Sequence, residues 1–249
     1  MAVSENRRKK KLEAHRAKRK EQKRAVARFE SSGNQGRMTI AKSWPVISAC
    51  VSSSLWTQGI GYAAIGRRGP QGQVAGVVFL LDVFCLGVKD VVLFANSEWH
   101  WHELLGRFDR GGNGWEEASP EYVRKLADGA VAYAKSFGLD PHREWIDGSR
   151  IFGEIDASKC PTEFTYGKDG KPLFIPGPYD GPARVNQIMQ ALSHTTGRDK
   201  FDFTAPVVIG DFSDDGIEED DCLEDGTAIG MEPTDHDHRL PCPDCDCVD

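Results

Sequence analysis

An α+β core carrying two oppositely charged arms is expected from this sequence on three grounds. The first is charge segregation. The 249 residues hold 31 Lys+Arg against 38 Asp+Glu, a formal charge of −7, but residues 1–28 hold twelve basic residues and three Glu, whereas residues 211–249 hold fifteen acidic residues and one Arg. The second is a set of apolar runs of strand length in the near-neutral centre. The third is a strongly periodic helix among them, with no regular βαβ repeat. That mixture favours an antiparallel sheet packed with two main helices over a doubly wound sheet. The limits are then 1–36 for a basic arm, helical (with coiled coil as one form) or disordered, 37–210 for the core, and 211–249 for an acidic, disordered tail.

The arm comes first. Arg7-Arg8-Lys9-Lys10-Lys11 is followed by Arg16, Lys18, Arg19, Lys20, Lys23 and Arg24, with no Gly or Pro before Gly33. Nearly every residue is a good helix former, while mutual repulsion opposes the helix until a polyanion neutralises it. Basic residues on all sides suit phosphate tracking better than base reading. A solvated tail is the plain alternative, and an anionic membrane surface suits the arm less because it has few large apolar residues. Ser31-Ser32-Gly33-Asn34-Gln35-Gly36 reads as a linker by composition.

In the core, Cys50–Ile65 and Gln73–Phe84 flank the turn signal Gly69-Pro70-Gln71-Gly72 and read as an antiparallel pair. The second run does not alternate, so it is expected to be buried on both faces. Val91–Phe94 fits a short strand or a helical turn. Ser119-Pro120 opens the clearest helix, with Val123, Leu126, Ala127, Ala130, Val131, Ala134 and Phe137 on one face and Gly138 as its stop. Gly129 on that helix points to a close approach by a neighbour. Phe164–Ile175 reads as a hairpin around Asp169-Gly170. Asp180 is placed to cap a second helix through Val185, Ile188, Met189 and Leu192, ending at Gly197, and Phe201–Ile209 to return as a strand.

The segment Phe79-Leu80-Leu81-Asp82-Val83-Phe84-Cys85-Leu86-Gly87-Val88-Lys89-Asp90, with the Ser119–Gly138 helix and Gly177-Pro178-Tyr179-Asp180-Gly181-Pro182-Ala183-Arg184, resembles an uncharacterised bacterial protein family over about residues 45–205. The resemblance implies core limits and no functional residue.

Three groups are candidates for chemistry. Asp82 stands in an apolar strand, which is costly unless the carboxylate is paired, hydrogen-bonded or on a metal. With Lys89 and Glu103 it makes a catalytic candidate; backbone donors or an ion pair with Lys89 are the structural alternative. His100 and His102 share a face if Trp99–Glu103 is extended, and two imidazoles so placed suit zinc. Cys242, Cys245 and Cys247 crowd the tail with a C-x₂-C spacing, a further candidate zinc site against a thiol-rich tail. Gly177–Asp180 with Arg184 offers a weak phosphate cradle, opposed by Asp180 itself. Walker, G-x-S-x-G and H-E-x-x-H motifs are missing.

The expected function is therefore nucleic-acid binding, to RNA or a ribonucleoprotein, through the basic arm. The alternatives are a metal-dependent hydrolase or nuclease using Asp82 and His100/His102, and a protein–protein adaptor acting through the charged arms. No apolar run approaches the ~20 residues of a membrane helix, and no apolar stretch follows the basic opening as in a secretory signal. Seven Cys, an odd number, fit a reduced cytoplasm.

Overall fold

The hairpin at the centre forms where its turn chemistry places it. In the computed structural model, which describes residues 2–109, 114–178, 180–197 and 200–204 with side chains from Arg7 onward, β2 (Ile60–Arg68) and β3 (Gln73–Asp82) pair antiparallel from Arg68↔Val74 to Ile60↔Asp82. Gly69 N–H donates to the Gln73 carbonyl at 2.7 Å, and Gly72 takes φ +83°, which a side chain would resist. β1 (Val46–Ser52) and β4 (Gly87–Ser97) extend the sheet, and β5 (Trp115–Glu117) edges it in the order β4-β3-β2-β1-β5. All its pairings are antiparallel. The run Val91–Phe94, whose pattern fits a short strand or a helical turn, is strand within β4.

Both faces of β3 are covered, as its non-alternating composition predicts. Ala75, Val77, Phe79 and Leu81 face one cluster, together with Leu126, Ala127, Ile151 and Phe152; Val74 and Val78 face another, around Trp101. The helix α5 (Pro120–Lys135) covers the first face. Its cap is the expected one, with Ser119 Oγ accepting from Tyr122 N–H at 3.1 Å and Pro120 at the first position. Gly129 is indeed a close approach: a Cβ there would lie 2.3 Å from the Tyr166 hydroxyl, which donates to the Leu126 carbonyl. The remaining helices are α1 (Ala2–Ser31), α2 (Asn34–Ala41), α3 (Leu55–Gln58), α4 (Glu98–Phe108), α6 (Trp145–Gly148) and α7 (Pro182–Thr196).

The second face belongs to α4. Its indole Trp101 is fully buried over Gly66 and Gly76, which are direct partners across β2 and β3. A Cβ at either position would meet that ring at 2.8 or 2.6 Å. The indole N–H donates to Ser48 Oγ at 2.8 Å, so the one polar atom of the ring is satisfied. Two strand glycines that weaken β propensity thus make the slot for the largest buried side chain.

Arg67, on β2, is the buried cation of the core. Its guanidinium donates to the carbonyls of Ile151 (2.7 Å), Phe152 (2.9 Å) and Trp44. Burial holds its pKa below the ordinary arginine value. Arg124 does the same for the next residues, donating to the Gly153 and Ile155 carbonyls and pairing with Asp128 at 3.3 Å. Two arginines therefore clamp the irregular segment that closes the first face.

Three local expectations are corrected. The 31–36 linker is not extended: α2 begins at Asn34 and buries Met38 and Ala41, because those apolar residues outweigh the Gly36 propensity cost. The 164–175 hairpin shrinks to one bridge, Lys168↔Lys171, around Asp169 and Gly170 at φ +52° and +78°. Beyond it, β6 (Leu173–Phe174) pairs parallel with β7 (Asp202–Phe203), so tertiary pairing displaces the local partner. α7 is preceded by Gly181 rather than capped by Asp180. Of the strand expected over Phe201–Ile209, β7 is present and residues 205–209 lie outside the described residues. Among the described residues no helix is long and apolar enough to cross a membrane.

Gly76→Ala is expected to cost roughly 1–3 kcal/mol by forcing Trp101 out of its slot. Arg67→Met is expected to cost roughly 3 kcal/mol or more, since three carbonyls lose their donor together. Urea denaturation of each variant measures both; loss of less than about 0.5 kcal/mol for Arg67→Met contradicts its clamping role.

Candidate functional site

The basic arm is one continuous helix. Arg7, Arg8, Lys9, Lys10, Lys11, Arg16, Lys18, Arg19, Lys20, Lys23 and Arg24 all lie exposed along α1. At 1.5 Å per residue the charged stretch is roughly 25 Å long. Successive residues turn by about 100°, so the run 7–11 alone places positive charge around the whole circumference. Among the described residues none of these side chains makes an ion pair; the ion pairs present all lie in the core.

Among the described residues, contact with the core is confined to the end of α1. Phe29 is buried against Trp44, with ring centroids 4.9 Å apart. Arg37 donates to the Phe29 and Glu30 carbonyls and lies over the Phe29 ring, fixing the helix C-terminus. Gln22 and Val26, on the same stripe as Phe29, are half-buried. Further toward the N-terminus that stripe continues as Lys18, His15, Lys11 and Arg8. Apolar contact therefore stops where the charge begins, which is why the arm leaves the core.

Asp82 sits at the far end of β3, paired with Ile60 and Gly87. Its Oδ1 accepts from Cys85 N–H (2.8 Å) and Phe84 N–H (3.1 Å), closing the β3–β4 turn. Burial pushes its pKa up to about 6, against the opposing pull of the Cys85 N–H, the Lys89 charge and the Leu86 and Phe84 N–H groups. Cys85 is buried beside it, its thiol driven upward by burial and by Asp82. Lys89 is the extra residue of a bulge, since Leu81 pairs with Val88 and Leu80 with Asp90. Its ammonium pairs with Asp180 at 3.5 Å, both side chains being mostly buried. Asp180 also accepts from Gly177 N–H at 2.8 Å. This consumes the donor that a phosphate would need at the 177–184 turn. Asp82 and Lys89 both line a cavity of about 110 Å³ with Gln58, Phe84, Leu173 and Ile175.

The histidine pair is corrected. Trp99–Glu103 is helical, within α4, and not extended. Its core stripe is Trp101, Leu104, Leu105 and Phe108, a helical spacing that was readable but was masked by the alternation of Trp and His. Two residues apart on a helix, His100 and His102 diverge by about 200°. His100 Nδ1 lies 2.7 Å from Ser97 Oγ, the N-cap, and His102 lies 3.9 Å from Glu98. Glu103 pairs with Arg107 at 2.7 Å. The α4 start follows Ser97, which pairs with Gln73 at the end of β3 opposite Asp82. Nine strand steps of ~3.3 Å put roughly 30 Å between those sheet ends. Asp82 and Lys89 are therefore brought together, whereas Glu103, His100 and His102 are not brought to them. Among the described residues no group of three or more His, Cys, Asp and Glu is placed to hold a metal ion. Cys242, Cys245 and Cys247 lie outside the described residues.

Sequence reasoning missed Asp180 as the partner of Lys89, and Arg67 as the core cation. Neither has a local signal: the partners lie 91 and 84–85 residues away along the chain. Comparison with protein-family models, curated proteins and solved structures finds no match for this chain.

The raised carboxyl of Asp82 carries a stability signature. A folded-state pKa above the unfolded value means that the native state holds its proton more tightly. The group therefore favours folding below the unfolded value of 3.8, and this contribution is lost as pH rises through about 6. Asp82→Asn, which keeps an Oδ1 acceptor for Phe84 and Cys85, is expected to flatten the stability change between about pH 4 and 6. Parallel denaturation curves across that window decide it; an unchanged slope removes Asp82 as its source.

Proposed function

We propose that this chain binds nucleic acid, RNA or a ribonucleoprotein in the cytoplasm, through the exposed basic length of α1. The observation that supports this reading is a helix with eleven basic side chains between Arg7 and Arg24 that make no ion pair among the described residues, its anchor to the core among those residues lying beyond Lys20. A strand spaced at ~3.4 Å per phosphate presents roughly seven phosphates over the 25 Å of that helix. Each neutralised phosphate releases a counterion, and this entropy is the driving force. The contacts read charge and spacing, so sequence preference is weak. A catalytic role for Asp82 with His100/His102 has no such support, since those groups occupy opposite sheet ends.

The test is a salt series with a fluorescent RNA oligonucleotide, comparing three proteins. These are the full chain, a chain beginning at Ala25, and a full chain with Lys9, Lys10 and Lys11 changed to Gln. Starting at Ala25 keeps Val26 and Phe29, so loss of binding is not loss of the anchor. For the full chain the slope of log K against log salt is expected near −5, from about 0.7 per phosphate. The triple substitution is expected to reduce that slope by about 2. The shortened chain is expected to lose most affinity at low salt; equal affinity there withdraws the reading, and leaves the adaptor role to be measured with protein partners.

A further inference from the structure

The cavity beside Asp82 lies apart from the arm and is unused by the function proposed above. Its wall carries a carboxylate that is only 6% exposed. Phe84, Cys85 and, more weakly, Leu86 supply N–H groups to that carboxylate. A carboxylate has about four acceptor sites, and the Phe84 and Cys85 bonds both fall on Oδ1, so acceptor capacity remains. The nearest cation does not use it up. Lys89 also lines the cavity and acts on Asp82 by its charge, but its ammonium is held by Asp180 at 3.5 Å, so these three charges together sum to one negative.

Most of the rest of the wall is apolar, Gln58 and Lys89 being the other polar side chains on it. Phe84, Leu173 and Ile175 line it, and Ile60 and Ile175 stand at the rim 39% and 45% exposed. These are among the few large apolar side chains left open to solvent on the core. The volume of about 110 Å³ equals that of roughly four waters at ~30 Å³ each, which is room for a chain of a few heavy atoms. We propose that this cavity binds a small alkylammonium ligand, with its ammonium against Asp82 and its short apolar chain against Phe84, Leu173 and Ile175.

The charge balance selects that chemistry. An incoming ammonium brings the local sum to zero, and a carboxylate ligand doubles the negative excess in a partly desolvated site. A bare metal ion meets one carboxylate and the Gln58 amide beside the Lys89 ammonium, which is too few oxygen donors for a hard cation. A neutral alcohol of the same length gains the apolar contact and leaves the carboxylate uncompensated. Binding therefore rises with pH as Asp82 ionises. The groups that face Asp82 are Lys89 from β4, Cys85 from the turn and Tyr133 from α5, with Asp180 reached through Lys89. Burial lifts Cys85 and Tyr133 well above neutral pH, so neither titrates in the window. An alkylammonium, like a lysine at about 10.4, stays charged throughout.

The probe is n-butylamine, titrated into the full chain and followed by the backbone amide signals of Phe84 and Cys85. 1-Butanol and butyrate are titrated in parallel. At about pH 8 the amine is expected to shift those signals, and at about pH 4.5 the effect is expected to vanish as the carboxyl is protonated. Asp82→Asn is expected to weaken binding by roughly tenfold or more. Ile175→Trp, at the exposed rim, narrows the mouth without touching the carboxylate and is expected to weaken it as well, which keeps the test decisive if the Asn variant fails to fold. The inference is overturned if butanol or butyrate binds as tightly as the amine, if either variant keeps full affinity, or if the amine moves no signal near the cavity.

Discussion

A buried guanidinium with no carboxylate partner among the described residues sets the conditions for the rest of this molecule. Arg67 leaves β2 and donates to three backbone carbonyls, of Trp44, Ile151 and Phe152. Those of Ile151 and Phe152 belong to the 3₁₀ turn Ser149–Phe152, whose closing carbonyls carry partial negative charge. Carbonyls can serve such a cation because guanidinium is weakly hydrated and its donors form a fixed fork. The arrangement binds three segments that have no strand pairing to one another: the approach to β1, the turn under α6, and the central strand. Arg124 extends it by holding Gly153 and Ile155. Without these donors the first face of the sheet would be closed by a loop with unsatisfied carbonyls.

The clamp also reaches the arm. Trp44, whose carbonyl Arg67 holds, packs on Phe29, and Phe29 is the last apolar anchor of α1. The geometry of the arm's root is thus referred back to the core through two aromatic rings and one arginine. Beyond Val26 nothing apolar continues on that stripe, so the helix carries its charge without an ion-pair partner among the described residues. The same composition that makes the arm unable to pack makes it suited to a polyanion.

The two proposed sites occupy opposite ends of the sheet. The root of α1 shares a hollow of about 410 Å³ with Gln73, Asn96 and Ser97, whereas Asp82 closes the other end of β3 against Gly87. A ten-residue strand separates them. Neither reading borrows residues from the other, and a variant in one leaves the other's contacts in place.

Elements with local grammar were legible from residues alone. The Gly69–Gly72 turn, the Ser119-Pro120 start and the Gly138 stop specify their conformations through φ values and caps that depend on a few neighbouring residues. The charge of the arm is likewise a property of the chain, and burial of β3 on both faces follows from its unbroken apolar run. What the tertiary structure alone decided are the pairings across distance. Leu173–Phe174 abandons a hairpin for a parallel partner at Asp202–Phe203, and Asp180 forgoes a cap for Lys89. Trp99–Glu103 became helix because Trp101, Leu104, Leu105 and Phe108 find a face of the sheet, with Gly66 and Gly76 opening the slot. Local sequence ranks these alternatives within about 1 kcal/mol per residue, whereas burying one large side chain is worth about 1.5–3 kcal/mol, so burial settles them.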